Sequence, residues 1–187
     1  NYVYKERTDS TNNDAKKIAM DGAREGTVVV AEEQTGGKGR INRGWISPYG
    51  KGIWFSLILR PKFPPMEAPK CTLMAAVALT KAFRELGLVE AGIKWPNDIL
   101  VHQRKLVGIL TEMQASMEEI NYIVIGMGIN ISTAESDLPK EMEGVGTSFE
   151  MEGITVDRRE ALALCLKYLE EQYRKILAEG FESTLQE

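Results

Sequence analysis

The chain has 187 residues, 43% of them hydrophobic and 27% charged, with a formal net charge of −4. That length suits one domain with a substantial core, and the balance excludes a disordered or low-complexity chain. An acidic total argues against a general nucleic-acid binder, while a local basic patch stays open.

No apolar run approaches the roughly 18 residues needed to span a bilayer. The N-terminus, Asn1-Tyr2-Val3-Tyr4-Lys5-Glu6-Arg7, lacks the basic-then-apolar order of a signal peptide. Because the sequence opens on Asn1 rather than Met, a piece of a longer chain is expected. Cys71 and Cys165 lie far apart in apolar stretches. Buried thiols in a reducing cytoplasm fit them better than a disulfide framework.

In chain order, Asp9-Ser10-Thr11-Asn12 supplies N-caps for a helix over 12–23, with Ala15, Ile18, Ala19 and Gly22 on one face. Three consecutive valines predict a buried strand over 27–32. Residues 34–52 form a long glycine-rich loop of mixed charge, a length that is usually functional or mobile. A second strand covers 53–59, and a helix covers 68–86 with Gly87 as its C-cap. Strand-like pieces follow at 92–95, 99–102 and 105–112, the last two joined as a hairpin through Gln103-Arg104. Residues 122–126 run on into 129–131 as another strand, and an amphipathic helix over 156–178 starts at Asp157. This order predicts an α/β fold of the α+β type: a mixed central β-sheet with helices mainly on one face. No internal boundary divides the chain, so 1–187 is expected to be a single domain.

Four segments carry candidate chemistry. In the loop Gly36-Gly37-Lys38-Gly39-Arg40-Ile41-Asn42-Arg43-Gly44-Trp45, glycines allow close backbone approach and three cations suit phosphate or carboxylate. From composition alone, an anion cradle and a solvated surface loop weigh equally. The loop is neither a P-loop nor a dinucleotide fingerprint, since neither spacing is present. In Lys94-Trp95-Pro96-Asn97-Asp98-Ile99 the proline fixes the backbone. Asp98 is either a turn residue or, with Lys94, part of a polar site. Lys105-Leu106-Val107-Gly108 places a lysine ahead of an apolar strand: a solvated strand end, or an inward cation facing a carboxylate and a phosphate. Gly126-Met127-Gly128-Ile129-Asn130 reads as a bulge or as a backbone wall facing a ligand.

Together with Asp9-Ser10-Thr11-Asn12, these segments resemble, in order and spacing, the catalytic domain of biotin–protein ligases over about 9–130. The Lys-Trp-Pro-Asn-Asp string is the most distinctive of them. The resemblance implies the class II aminoacyl-tRNA synthetase-like fold of biotin/lipoate ligases. It also implies an ATP-dependent, AMP-forming ligase that joins biotin to AMP with Mg²⁺ present. The biotin then passes to a lysine of a biotin carboxyl carrier domain.

On this resemblance Lys105 and Arg40 are the catalytic residues. Ser10, Thr11, Asn12 and Gln34 bind the ureido end of biotin, with Gly37, Lys38, Gly39, Arg40, Lys105 and Gly108 completing the biotin site. The adenylate side takes Arg40, Arg43, Trp45, Asn97, Asp98 and Lys105, with Gly126, Gly128 and Asn130 along the wall. Trp54 is a further packing candidate, and the metal ligands are left open. The family loop often reads Gly-Arg-Gly-Arg-Arg-Gly; here Lys38, Ile41 and Asn42 stand at three of its positions. No N-terminal helix-turn-helix and no C-terminal SH3-like barrel is visible, so DNA binding is not expected of this chain. A cytoplasmic setting and a homodimer are further expectations. The rival readings are a lipoate–protein ligase and a biotin-sensing module without turnover.

Overall fold

The computed structural model describes residues 1–138 and 140–185. Its strands are β1 (Tyr2–Thr8), β2 (Val28–Gln34), β3 (Gly52–Leu59), β4 (Gly92–Lys94), β5 (Asp98–Val101), β6 (Arg104–Ala115) and β7 (Ile120–Asn130). The helices are α1 (Thr11–Met20), α2 (Lys70–Glu85), α3 (Arg158–Glu179) and the short α4 (Glu182–Leu185). The strands form one mixed sheet in the order β1-β2-β3-β7-β6-β5-β4. Only β1 and β2 run parallel; every other neighbouring pair is antiparallel.

Period-2 alternation divides the sheet into two unlike faces. On β3, Ile53, Phe55, Leu57 and Leu59 point into a large apolar core with α2 and α3, which also takes Ile123, Ile125, Met127 and Ile129 of β7. Phe83 of α2 meets Phe149 edge-on there, with ring centroids 5.3 Å apart. The opposite face carries a small cluster in which Ala15 and Ala19 of α1 pack on Val29, Ile58, Tyr122 and Val124. The expected sheet with helices mainly on one face is therefore present, with α1 as the exception. Being alone on its face, α1 leaves the rest of that face open for a ligand.

Element positions agree with the sequence reading to within a few residues, with instructive exceptions. Strand β1 was not anticipated, because its side chains alternate between exposed and half-buried rather than forming an apolar run. The hairpin tip is His102-Gln103, one residue earlier than expected. Both tip residues take left-handed φ values of 49° and 65°, as a two-residue hairpin turn requires. The glycines of β7 make no bulge; their pairing to β3 and β6 is regular through Gly126 and Gly128. Asp157 caps α3 as expected, accepting from Arg159 N and Glu160 N. Both cysteines are free and buried, and burial pushes each thiol up to about 12.

One side chain anchors α1. Arg60, just past β3, donates to Ala19 O at the helix end (2.6 Å), to Ala23 O (3.0 Å) and to Asn121 O (2.6 Å). A cation there also suits the negative end of the helix dipole. Arg60→Met should lower stability by roughly 2 kcal/mol, from lost charge-assisted hydrogen bonds. For a chain of this size that is about 4–8 °C in melting temperature. Calorimetry checks it, and an unchanged melting temperature would remove Arg60 as the anchor.

Candidate active site

The open part of the second face is floored by backbone. Gly126 and Gly128 of β7 and Gly108 of β6 point their missing side chains at it. A Cβ on Gly126 would lie 2.1 Å from Asn12 Oδ1, and one on Gly128 would lie 2.2 Å from Trp45 Nε1. The Trp45 ring also covers Gly108, 2.7 Å from where a Cβ would stand. These contacts decide between the two readings of the glycines: they make a wall, approached closely by side chains from elsewhere.

The closed end is built by the first turn of α1. Ser10, Thr11 and Asn12 are all buried. Thr11 donates from its backbone N and from Oγ1 to Gln34 Oε1 (2.8 and 3.1 Å), so Gln34 supplies the cap that Ser10 does not. Gln34 Nε2 in turn donates to Ser47 Oγ at 2.8 Å. The buried Ser56 hydroxyl of β3 lies 2.8 Å from Thr11 Oγ1 and 2.6 Å from Asn12 Oδ1 and has one proton to donate to them. Asn12 Nδ2 donates to Glu112 Oε2 at 2.8 Å, and Lys16 Nζ to Glu112 Oε1 at 2.6 Å. Burial pushes the Glu112 carboxyl up, but hydrogen bonds from Lys16 and Asn12 and the charges of Lys16 and Lys38 outweigh it. The carboxyl is held below the ordinary range and stays an acceptor at neutral pH. Sequence reading missed Ser47, Ser56 and Glu112, single polar residues whose partners lie far away along the chain.

Lys105 provides the cation. Its Nζ sits 2.8 Å from Asp98 Oδ1, a buried oxygen that receives no aligned hydrogen bond even so. The same ammonium stands 5.3 Å from the centre of the Trp45 ring, within cation–π range. Asp98 and Asn97 are held by the turn after the cis Trp95–Pro96 bond and by Asn97 O, which accepts from Ile109 N at 2.9 Å.

The glycine-rich loop crosses the mouth. Lys38 Nζ donates to Asn13 Oδ1 of α1 at 2.8 Å, and Arg40 Nη1 donates to Asn97 Oδ1 on the far rim at 3.1 Å. Directly after the second tether Ile41 is exposed and has φ 56°, an unusual conformation for a β-branched residue. Beneath lies a partly open cavity of about 50 Å³, which shares Lys38, Arg40 and Asn97 with an adjoining open groove of about 1060 Å³.

The cavity brings together Ser10, Thr11, Asn12, Gln34, Lys38, Gly39, Arg40, Trp45, Asn97, Lys105, Gly108, Gly126 and Gly128, adding Ile109, Leu110 and Met127. Four expected site residues stand aside. Gly37 and Arg43 line the adjoining groove, and Asp98 acts through its pairing with Lys105. Asn130 donates its amide to Thr147 O at 3.0 Å instead of facing the cavity. Trp54 also lies outside: fully buried, it donates from Nε1 to Pro48 O. Among the described residues no cluster of three or more His, Cys, Asp or Glu side chains could hold a metal ion by itself.

Comparison with known proteins agrees with this geometry. The sequence model of the biotin/lipoate A/B protein ligase family matches residues 4–130. The bifunctional ligase/repressor BirA of Bacillus subtilis is 42% identical over 180 residues, covering 96% of this chain and 55% of that protein. A biotin–[acetyl-CoA-carboxylase] ligase of Mycobacterium tuberculosis is 35% identical over 162 residues, covering 84% of this chain and 58% of that protein. The chain thus spans about half the length of the curated relatives it matches. The structure of the Aquifex aeolicus biotin protein ligase with biotin and ATP superposes with a TM-score of 0.82 at 29% identity, over 98% of this chain and 74% of that one. The chain belongs to the biotin/lipoate A/B protein ligase family.

Proposed function

We propose that this chain activates biotin with ATP to biotinyl-5′-AMP and pyrophosphate, then transfers biotin to a lysine of a biotin carboxyl carrier domain. The observation that carries the reading is the single cavity with hydroxyl and amide groups at its closed end and the ammonium of Lys105 at its other. A neutral bicyclic urea needs directed hydrogen bonds inside a mostly apolar pocket, and Thr11, Asn12, Gln34 and Ser56 form such a network. A carboxylate attacking phosphorus needs a cation where charge builds, and Lys105 stands there. The names of the relatives support the same reaction.

In the first step a carboxylate oxygen of biotin bonds to the α-phosphorus of ATP, and the bond from that phosphorus to the bridging oxygen breaks, releasing pyrophosphate. Lys105 neutralises the carboxylate and α-phosphate oxygens as they approach, and Arg40 reaches the phosphate from above. In the second step the acceptor amine attacks the acyl carbon, AMP leaves with the anhydride oxygen, and the amine gives up a proton. The loop tethered through Lys38 and Arg40 keeps water from the mixed anhydride in between. Mg²⁺ fits as a group that arrives with the triphosphate, since such ions use one or two carboxylates plus phosphate oxygens. Asp98, already 2.8 Å from the Lys105 ammonium, is the carboxylate at this end of the cavity that would hold it, sharing its charge between the two cations. When bound, the ion offsets phosphate charge.

A cytoplasmic setting belongs to this proposal and is supported by two free, buried cysteines. Among the described residues no helix is long and apolar enough to cross a membrane. A homodimer is proposed with it on the family resemblance, and sedimentation of the purified chain measures it.

The direct test is transfer of labelled biotin to a carrier domain with ATP and Mg²⁺, beside titration calorimetry with biotin and with lipoate. Lipoate binding without biotin binding would overturn the reading in favour of a lipoate ligase. Lys105→Ala should reduce biotin-dependent ATP–pyrophosphate exchange at least about 100-fold, the loss typical when a charge-stabilising donor is removed; normal exchange would strike Lys105 from the machinery. Trp45 makes the third test. Its ring fills the space over Gly108 and Gly128, and the cavity is well below the roughly 300 Å³ of ordinary ligand pockets. Biotin binding should therefore shift tryptophan fluorescence. In Trp45→Phe that shift should vanish while Trp54 and Trp95 still emit; a shift of full size in the variant would show that Trp45 stays put.

A further inference from the structure

Lys105 has an unusual place in the sheet. Regular pairing of β6 to β7 begins only at Val107↔Ile129, so Lys105 lies beyond the end of β7. On its other side the register to β5 shifts between Ile99 and Leu100, the latter opposite Lys105. The neighbour that replaces β7 is an irregular segment. Lys105 N donates to Val145 O at 2.6 Å, and Thr147 N donates to Lys105 O at 2.9 Å, a short parallel bridge outside the named strands.

Glu152 holds both sides of that bridge. Its Oε1 accepts from Thr147 Oγ1 at 2.5 Å and from Arg104 Nη2 at 2.7 Å, and its Oε2 lies 3.0 Å from His102 Nδ1. One partner is therefore the residue before Lys105, another is on the segment facing it, and the third sits at the hairpin tip. The Glu152 side chain is 6% exposed, so its bonds to Thr147 and Arg104 are partly shielded from water and strengthened accordingly, while His102 stands exposed. Burial pushes its carboxyl up, while hydrogen bonds from Thr147 and His102 and the charges of Arg104 and His102 more than offset this and leave it below the ordinary range.

We infer that Glu152, outside the cavity, is a positioning residue for adenylation: by clamping Arg104 and His102 to Thr147 it aims the Lys105 ammonium at the reacting oxygens. The inference rests on the ligase reading above. Geometry gives its scale, because a misplacement of about 1 Å in a reacting group can lower a rate on the order of 100-fold. The network around Thr11, Gln34 and Ser56 touches none of the clamp residues, so the clamp reaches biotin only through the contact of Lys105 with its carboxylate, and its effect falls on the chemical step more than on binding.

Four measurements test the clamp. Glu152→Ala should lower kcat of ATP–pyrophosphate exchange about tenfold or more, with a clearly smaller change in KM for biotin. Glu152→Gln, whose amide oxygen can still accept from Arg104 and Thr147, should recover most of that loss. Thr147→Val, which removes one hydroxyl and no charge, should give the same split at smaller size should the alanine variant fail to fold. Affinity for biotinol-5′-AMP, a stable acyl-adenylate analogue, closes the cycle: Glu152→Ala should weaken it in the unmutated background but not in Lys105→Met. Equal weakening in both backgrounds, or a matching rise in biotin KM, overturns the inference. An unmutated chain that binds no analogue overturns the ligase reading itself, and this inference with it.

Discussion

The site depends on one steric constraint, the close approach of Asn12 and Trp45 to bare backbone on β6 and β7. Side chains alternate along a strand, so the positions that face the ligand are fixed by the same register that buries Ile125, Met127 and Ile129 on the other face. Glycine at 108, 126 and 128 turns half of a core strand into a floor without disturbing its buried half. A side chain at 126 or 128 would lie too close to the Asn12 amide or the Trp45 ring, so one or the other would have to shift. Through Asn12 it would also disturb Ser56 and Glu112, which hold the α1 end of the cavity.

From that floor follows a division of labour by polarity. The closed end is a buried network in which Gln34, Ser56 and Glu112 hold one another's partners, so its groups are preorganised for a neutral ligand. The open end concentrates charge: Lys105 with Asp98, and Arg40 on Asn97. Its members sit on a turn, a strand end and a loop rather than in regular ladders. Such elements are freer to shift than a regular ladder, and the same freedom means that Lys105 needs support from elsewhere, which the bridge to Val145 and Thr147 supplies.

Much of this was legible in the sequence because it is written in residues with few other uses. Glycines inside a β-branched strand, a lysine before an apolar run, and Lys-Trp-Pro-Asn-Asp all restrict the backbone in ways that single positions reveal. The hydrophobic periods likewise marked α2, α3, β2 and β3. What was not legible depends on contacts between distant segments. Ser56 looks like any small residue inside an apolar strand until α1 is laid over it, and Glu112 and Glu152 look like solvated acids until Lys16 and Arg104 reach them. Strand β1 escaped notice for the converse reason: an edge strand with exposed tyrosines carries no apolar signal. Asn130 was read from its neighbours, and its amide serves the chain rather than the cavity.

The glycine-rich loop shows why a weak tether suits this chemistry. Its two cross-mouth bonds, Lys38 to Asn13 and Arg40 to Asn97, are both exposed. Each is worth about 1 kcal/mol in water, far less than the buried network beneath. Ile41 in a left-handed conformation further raises the energy of the closed form, by roughly 1–2 kcal/mol relative to glycine. A loop held this weakly costs little to open, which the proposed entry of ligand requires. On the proposed reaction, charge arriving on an acyl phosphate would add partners for Lys38 and Arg40 that neither Asn13 nor Asn97 can match, because bonds between ions are stronger than bonds from an ion to a neutral amide. On that reading closure would follow from the presence of the anion itself, and the same loop would relax once AMP has left.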